Sequence, residues 1–133
     1  MKDYLFVCGT LRSEYVAGEI AEVMQRLRSL GAASVQGRLH DFGDYPGAVL
    51  DSAADTLIHG ELFELPHDEV TLAALDEYED FDPRVPAKGL FVRRRVNISD
   101  ASRQNVEGWI YVYNGDPGNV PIIAGGKWTK PTA

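Results

Sequence analysis

Leu57–Asp80, LIHGELFELPHDEVTLAALDEYED, carries two periodicities in succession, and the fold is read from them. Leu57–Leu65 places apolar residues on both faces, as a central strand does. Gly60 inside it marks either a bulge or a close approach by another part of the chain. Pro66 suits the opening of a helix, and Asp68 and Glu69 complement the positive end of its dipole. That helix runs to about Tyr78, and Pro83 and Pro86 rule out continuation. At about 100° per residue, Leu72, Leu75 and Glu79 fall at i, i+3 and i+7, hence on one stripe. Leucine stripes face cores, so Glu79 is aimed at the apolar side while Glu77 and Asp80 point elsewhere. A carboxylate held partly out of water has its charged form disfavoured, which raises its pKa towards the range useful for proton transfer. The alternative is that Glu79 sits at a frayed helix end and reaches solvent.

On the C-terminal side, Leu90–Ile98 and Val106–Asn114 alternate cleanly across a polar connection, Ser99–Asn105, and read as an antiparallel hairpin. Trp109, Tyr111 and Tyr113 share one of its faces. Arg93-Arg94-Arg95 alternates between faces and makes no single basic patch. On the N-terminal side, Tyr4–Cys8 is a buried strand ending at Gly9-Thr10-Leu11-Arg12. Glycine at a strand end can adopt backbone angles barred to other residues and let successive N–H groups converge on an anion. An ordinary turn is the alternative. Glu19–Leu30 has helical spacing at Ile20, Val23, Met24, Leu27 and Leu30, with Gly31 as C-cap. Ala33–His40 is a strand interrupted by Gly37. Asp41–Gly47, DFGDYPG, is turn chemistry that places Tyr45 as a candidate pocket wall. Ala48–Leu50 leaves it as a short strand. Residues 1–115 make one domain, and 116–133 is an irregular tail packed on it or trailing from it.

The whole chain has 133 residues, 44% of them hydrophobic and 25% charged, as in an ordinary globular domain. The net charge of −7 argues against a nucleic-acid surface. No run approaches the ~18 apolar residues of a membrane span, and no secretory signal opens the sequence. A single cysteine, Cys8, suits a reducing compartment, so a cytoplasmic protein is expected. His40, His59 and His67 are spread apart and carry no metal-ligand spacing. Cys8 as a nucleophile would need a histidine in reach and a lowered pKa, and its apolar strand suits an inert thiol better. Serine-hydrolase, phosphate-loop and dinucleotide motifs are missing. Oligomeric state is not legible.

The ordered set YLFVCGTLR, GRLHDFGDYPGAV, HGELFEL, LAALDEYEDFDP, FVRRRV and GWIYVYN, from Tyr4 to Asn114, resembles the gamma-glutamylcyclotransferase-like family, the avirulence-induced-gene group. The resemblance implies an α+β fold, a small mixed β-barrel of about six strands with flanking helices. It implies release of 5-oxoproline from a gamma-glutamyl amine or amide, without a cofactor, by an acyltransferase- or lyase-type reaction. The catalytic glutamate of the family's L-D-x-x-E pattern falls on Glu79. Its substrate loop falls on Cys8-Gly9-Thr10-Leu11, where tyrosine commonly precedes the glycine, so Cys8 is a departure. Backbone N–H groups of Gly9, Thr10 and Leu11 would then hold the substrate's carboxylate or oxyanion, with Tyr45 and Tyr113 lining the pocket. Asp80, where the family often has glycine, would push the Glu79 pKa further up by like-charge repulsion. A non-catalytic module retaining a small acidic ligand on the same scaffold stays open beside the enzyme.

Overall fold

The computed structural model describes residues 2–16, 18–102 and 104–131, with nothing said of the Glu19 side chain. The elements run β1 (Asp3–Val7), α1 (Glu19–Met24), β2 (Arg28–Asp41), β3 (Pro46–Leu50), β4 (Leu57–Leu65), α2 (Glu69–Tyr78), β5 (Phe91–Asp100) and β6 (Asn105–Tyr113). The sheet order is β3-β2-β4-β1-β6-β5, and pairing of Ala33 with Asp100 and of Ser34 with Ser99 joins β2 to β5. Five strands therefore close into a barrel, and β3 hangs on β2 as a sixth. The barrel is mixed: β1 runs parallel to β6, through Leu5 opposite Trp109 and Phe6 opposite Ile110, and the other pairings are antiparallel. This is the expected α+β barrel.

β4 lies between β1 and β2, as its two apolar faces require. Its register passes unbroken through Gly60 opposite Ala33, so Gly60 is not a bulge. It is a close approach: a Cβ there would overlap the Val7 carbonyl and come within 2.8 Å of the Phe6 ring. Gly108 on β6 does the same for the other edge of β1, where a Cβ would lie 2.7 Å from the Tyr4 carbonyl oxygen. The hairpin of β5 and β6 holds the expected register, with Val96 opposite Gly108 and Arg95 opposite Trp109.

Two expectations are corrected. The helix expected over Glu19–Leu30 stops at Met24, and from Arg28 the chain is a strand paired with β4. Ile20, Met24 and Leu27 are all buried, a spacing that one helical turn followed by a strand satisfies as well as a long helix. Ladder bonds to the central strand override the favourable helix propensity of Arg28 and Leu30, which amounts to only a few tenths of a kcal/mol per residue, on the order of 0–0.7. Gly31 is consequently no C-cap; it sits with φ +92° where the β2 register shifts between Ser29 and Gly31. The expected strand Ala33–His40 lies within this longer β2, towards its C-terminal end. Gly37 is required there by the Val49 carbonyl, which occupies the place of a Cβ.

α2 begins at Glu69, a turn later than Pro66, because Asp68 is its N-cap and accepts hydrogen bonds from Thr71 N (2.7 Å) and Oγ1 (3.0 Å). The tail is irregular but tied down. Asp41 N donates to Pro121 O (2.8 Å), Ile123 N to Leu39 O (2.7 Å) and His59 N to Gly126 O (2.8 Å). Trp128, 1% exposed, packs into the same core as Leu5, Phe6, Leu39, Ile58 and Ile110. Each such fully buried side chain contributes roughly 1.5–3 kcal/mol. No helix is long and apolar enough to cross a membrane among the described residues.

Gly60→Ala should therefore lower stability by about 2 kcal/mol, because neither the Val7 carbonyl nor its strand can retreat. Chemical denaturation reads this, and an unchanged midpoint would contradict the close approach.

Candidate active site

β1 delivers the chain to a turn in which Arg12 N donates to Gly9 O (3.1 Å). The reason for glycine differs from the one expected. Gly9 is not among the residues with positive φ; a Cβ there would lie 2.7 and 2.9 Å from the Pro46 ring. Space, not a left-handed backbone, demands glycine. Among the described residues no acceptor meets the backbone N–H groups of Gly9, Thr10 or Leu11.

Opposite this turn is the end of α2. The buried line on that helix is Thr71, Leu75 and Asp76, with Leu72 only half-buried. Glu79 follows as the C-cap, its N–H donating to Leu75 O (3.0 Å), and it is half-buried, whereas Glu77 and Asp80 are exposed. Desolvation pushes the Glu79 carboxyl up to about 7. Burial is the whole cause. The like-charge contribution expected of Asp80 is absent because Asp80, at φ +57°, turns its carboxylate away to accept from Leu90 N (3.0 Å).

Between the turn and the helix end lies a cavity of about 310 Å³ whose wall includes Cys8, Gly9, Thr10, Leu11, Tyr45 and Glu79. Exposed Asp44, Tyr78 and Leu90 mark its mouth. Thr10 Oγ1 and the Tyr78 hydroxyl, 3.2 Å apart, link its two sides. Tyr45 meets Phe91, also in the wall, edge-on at 5.8 Å. Tyr113, expected in the wall, stands outside it and stacks on Phe42 at 4.6 Å. The wall position belongs to Tyr111, two residues earlier on the same strand face. Its carboxylates are Asp44 and Glu79, and no Lys, Arg or His lines it among the described residues.

Behind the wall is a group that pattern reading did not reach. Asp76, 6% exposed, accepts from the Tyr111 hydroxyl (2.7 Å) and, in a two-pronged pair, from Arg93 Nε (2.8 Å) and Nη2 (3.1 Å). Arg93 lies over the Trp109 ring at 4.3 Å. This arrangement fixes Tyr111 with its hydroxyl committed to donation, and burial together with Asp76 pushes that hydroxyl's ionisation upward. The signal was present as the aspartate of the L-D-x-x-E pattern. Cys8 lines the cavity, but burial and then the Glu79 charge push its thiol up to about 12, so it is no nucleophile at neutral pH. Among the described residues no three His, Cys, Asp or Glu side chains group to hold a metal ion.

The sequence profile of the gamma-glutamyl cyclotransferase, AIG2-like family matches residues 5–130, and the chain belongs to that family. Solved structures with this fold include an AIG2-like protein from Mus musculus, 17% identical, covering 96% of this chain and 88% of that one with a TM-score of 0.73. YkqA from Bacillus subtilis is 23% identical with a TM-score of 0.69, and the match covers 96% of this chain but only 40% of YkqA. A gamma-glutamyl cyclotransferase is 13% identical, covering 85% of this chain and 67% of that one with a TM-score of 0.61. At these identities the likeness is one of fold. Comparison with curated proteins gives no match.

The folded chain holds the Glu79 proton more tightly than the unfolded chain does, since the carboxyl moves from 4.5 to about 7. Its protonated form is favourable at low pH, and stability is lost as pH rises from 4.5 through about 7. Glu79→Gln should thus be more stable than the parent at pH 8, on the order of 2 kcal/mol after allowance for partial exposure, and should lose that advantage towards pH 5. Thermal melts at the two pH values measure this, and a pH-independent difference would contradict it.

Proposed function

We propose that this member of the gamma-glutamyl cyclotransferase, AIG2-like family releases 5-oxoproline from a gamma-glutamyl amine or amide, with Glu79 as general base and acid. One observation carries the reading: a desolvated carboxylate and a turn whose backbone N–H groups meet no acceptor among the described residues line the same cavity.

The reaction needs little beyond that. The α-amino nitrogen of the gamma-glutamyl group attacks its own gamma-carbonyl carbon, and Glu79 takes a proton from that nitrogen as the new C–N bond forms. Collapse of the tetrahedral intermediate breaks the old C–N bond, and Glu79 returns the proton to the departing amine. The products are 5-oxoproline and the free amine, and no water or redox partner is consumed. Nucleophile and electrophile are tethered from the start, so holding the chain curled contributes on the order of 7–11 kcal/mol in the best intramolecular cases. The N–H groups of Gly9, Thr10 and Leu11 hold the substrate's α-carboxylate. Tyr45, Phe91 and Tyr111 supply the apolar walls that exclude water around the lactam. A base near neutrality matches the requirement that Glu79 both accept and return a proton, a role worth about 10²–10⁴-fold.

Glu79→Gln should keep the fold and reduce 5-oxoproline release by at least about 10²-fold. In the parent, kcat/KM should rise with pH through about 7, because the base must be ionised to accept the proton. Product formation from a panel of gamma-glutamyl amines measures both. Near-normal turnover by the variant would overturn the mechanism, and ligand-induced thermal stabilisation without any product would favour a binding module.

A further inference from the structure

The cavity wall poses an electrostatic problem. Its carboxylates are Asp44 and Glu79, no cation lines it among the described residues, and yet the proposed substrate presents a carboxylate. Five residues past the end of β1, and immediately after the wall's Gly9-Thr10-Leu11, stands Arg12, 4% exposed. It does not line the cavity. Its Nη2 donates to the backbone carbonyl of Trp128, a tail residue 1% exposed, and its guanidinium lies 4.8 Å from the Tyr15 ring centre. Its Nε has no hydrogen-bond partner among the described residues. Its ion-pair partner is Glu14, at 3.2 Å, whose side chain is 57% exposed and therefore well screened by water. The neighbouring acid Glu61 is engaged by Ser13 N (2.8 Å), Ser13 Oγ (2.6 Å) and Ser29 Oγ (2.6 Å). Among the described residues a buried guanidinium, one residue after the turn, is thus left without a buried counterion.

We propose that Arg12, clamped by the C-terminal tail, is a positioning residue whose buried charge makes the Gly9–Leu11 turn selective for a carboxylate. This rests on the reading of that turn as the α-carboxylate site. A charge in a poorly screened interior acts over several ångströms, and the turn's N–H groups supply the contact that the guanidinium itself does not make. The Arg12 charge already reaches the cavity wall, since it favours the ionised form of the Cys8 thiol against the opposing effect of burial. The Ser13 bonds to Glu61 and the Trp128 clamp hold the turn from both sides, so the potential is fixed in direction as well as sign.

The test compares binding of 5-oxoproline and of its uncharged carboxamide by titration calorimetry. The parent should prefer the carboxylate by at least about tenfold, Arg12→Lys should keep that preference, and Arg12→Gln and Arg12→Met should reduce it to about threefold or less. A purely structural Arg12 would weaken both ligands alike. In the parent alone, the preference should persist at about 0.5 M salt, because a buried charge is little screened; this holds whether or not the neutral variants fold. A parent without preference, loss of the preference in salt, or neutral variants that retain it would each overturn the inference. Preference abolished by Arg12→Gln in a protein that never releases 5-oxoproline would leave the inference standing and overturn the cyclotransferase reading. Full turnover with preference unchanged in Arg12→Gln would do the reverse.

Discussion

β1 is five residues long, and the rest of the molecule is arranged by how closely its two neighbours approach it. Gly60 on β4 faces the Val7 carbonyl and Gly108 on β6 faces the Tyr4 carbonyl, each at a separation that a side chain could not occupy. A strand gripped this way cannot slide without driving a Cβ into a backbone oxygen. Register in a barrel also decides which face every side chain takes, so a one-residue slip would exchange the faces of Leu5 and Val7 with that of Phe6, all three of them buried. The same grip sets where the strand stops. Val7 ends beside Gly60, and the turn that follows is pressed against Pro46, where Gly9 again permits the contact.

That placement brings an unpaired stretch of backbone donors to within one cavity of a helix end. The helix end is itself held by charge. Asp76 and Arg93 form a nearly buried two-pronged pair, with Tyr111 as a third partner and Trp109 under the guanidinium. Breaking such a pair leaves an uncompensated buried charge and costs several kcal/mol, so Asp76 is anchored far more firmly than the exposed acids near it. Glu79, three residues on, has no such partner among the described residues. Its raised pKa follows from being carried inwards by a helix whose anchoring charge is satisfied elsewhere. Pairing and desolvation are thus divided between two carboxylates one turn apart. Asp76 is held by its pair, and Glu79 is left desolvated.

Much of this was legible where the physical signal is local and periodic. The two alternating runs gave the β5–β6 hairpin, the doubly apolar run gave β4 at its observed bounds, and the leucines before Glu79 turned it towards the interior. Closure of the barrel was legible only through the family resemblance, because Ala33, Ser34, Ser99 and Asp100, which make it, carry no pattern that marks a pairing. The end of α1 was hidden since Ile20, Met24 and Leu27 fit a helix and a helix-to-strand transition equally well. Tyr111 and Tyr113 share a strand face, so alternation could not say which of them reaches the cavity. Burial of Arg12 depends on Trp128, which lies 116 residues away and has no sequence signature linking it to the first strand.

The chemistry of the cavity depends on the state of the Glu79 carboxyl group. Carbon-13 labelling of glutamate side chains, with the Glu79 signal identified by its loss in Glu79→Gln, allows that carboxyl to be titrated directly by NMR. A midpoint near 7, raised from the ordinary 4.5, is the expected result. A midpoint at the ordinary 4.5 would mean a solvated side chain and would contradict it.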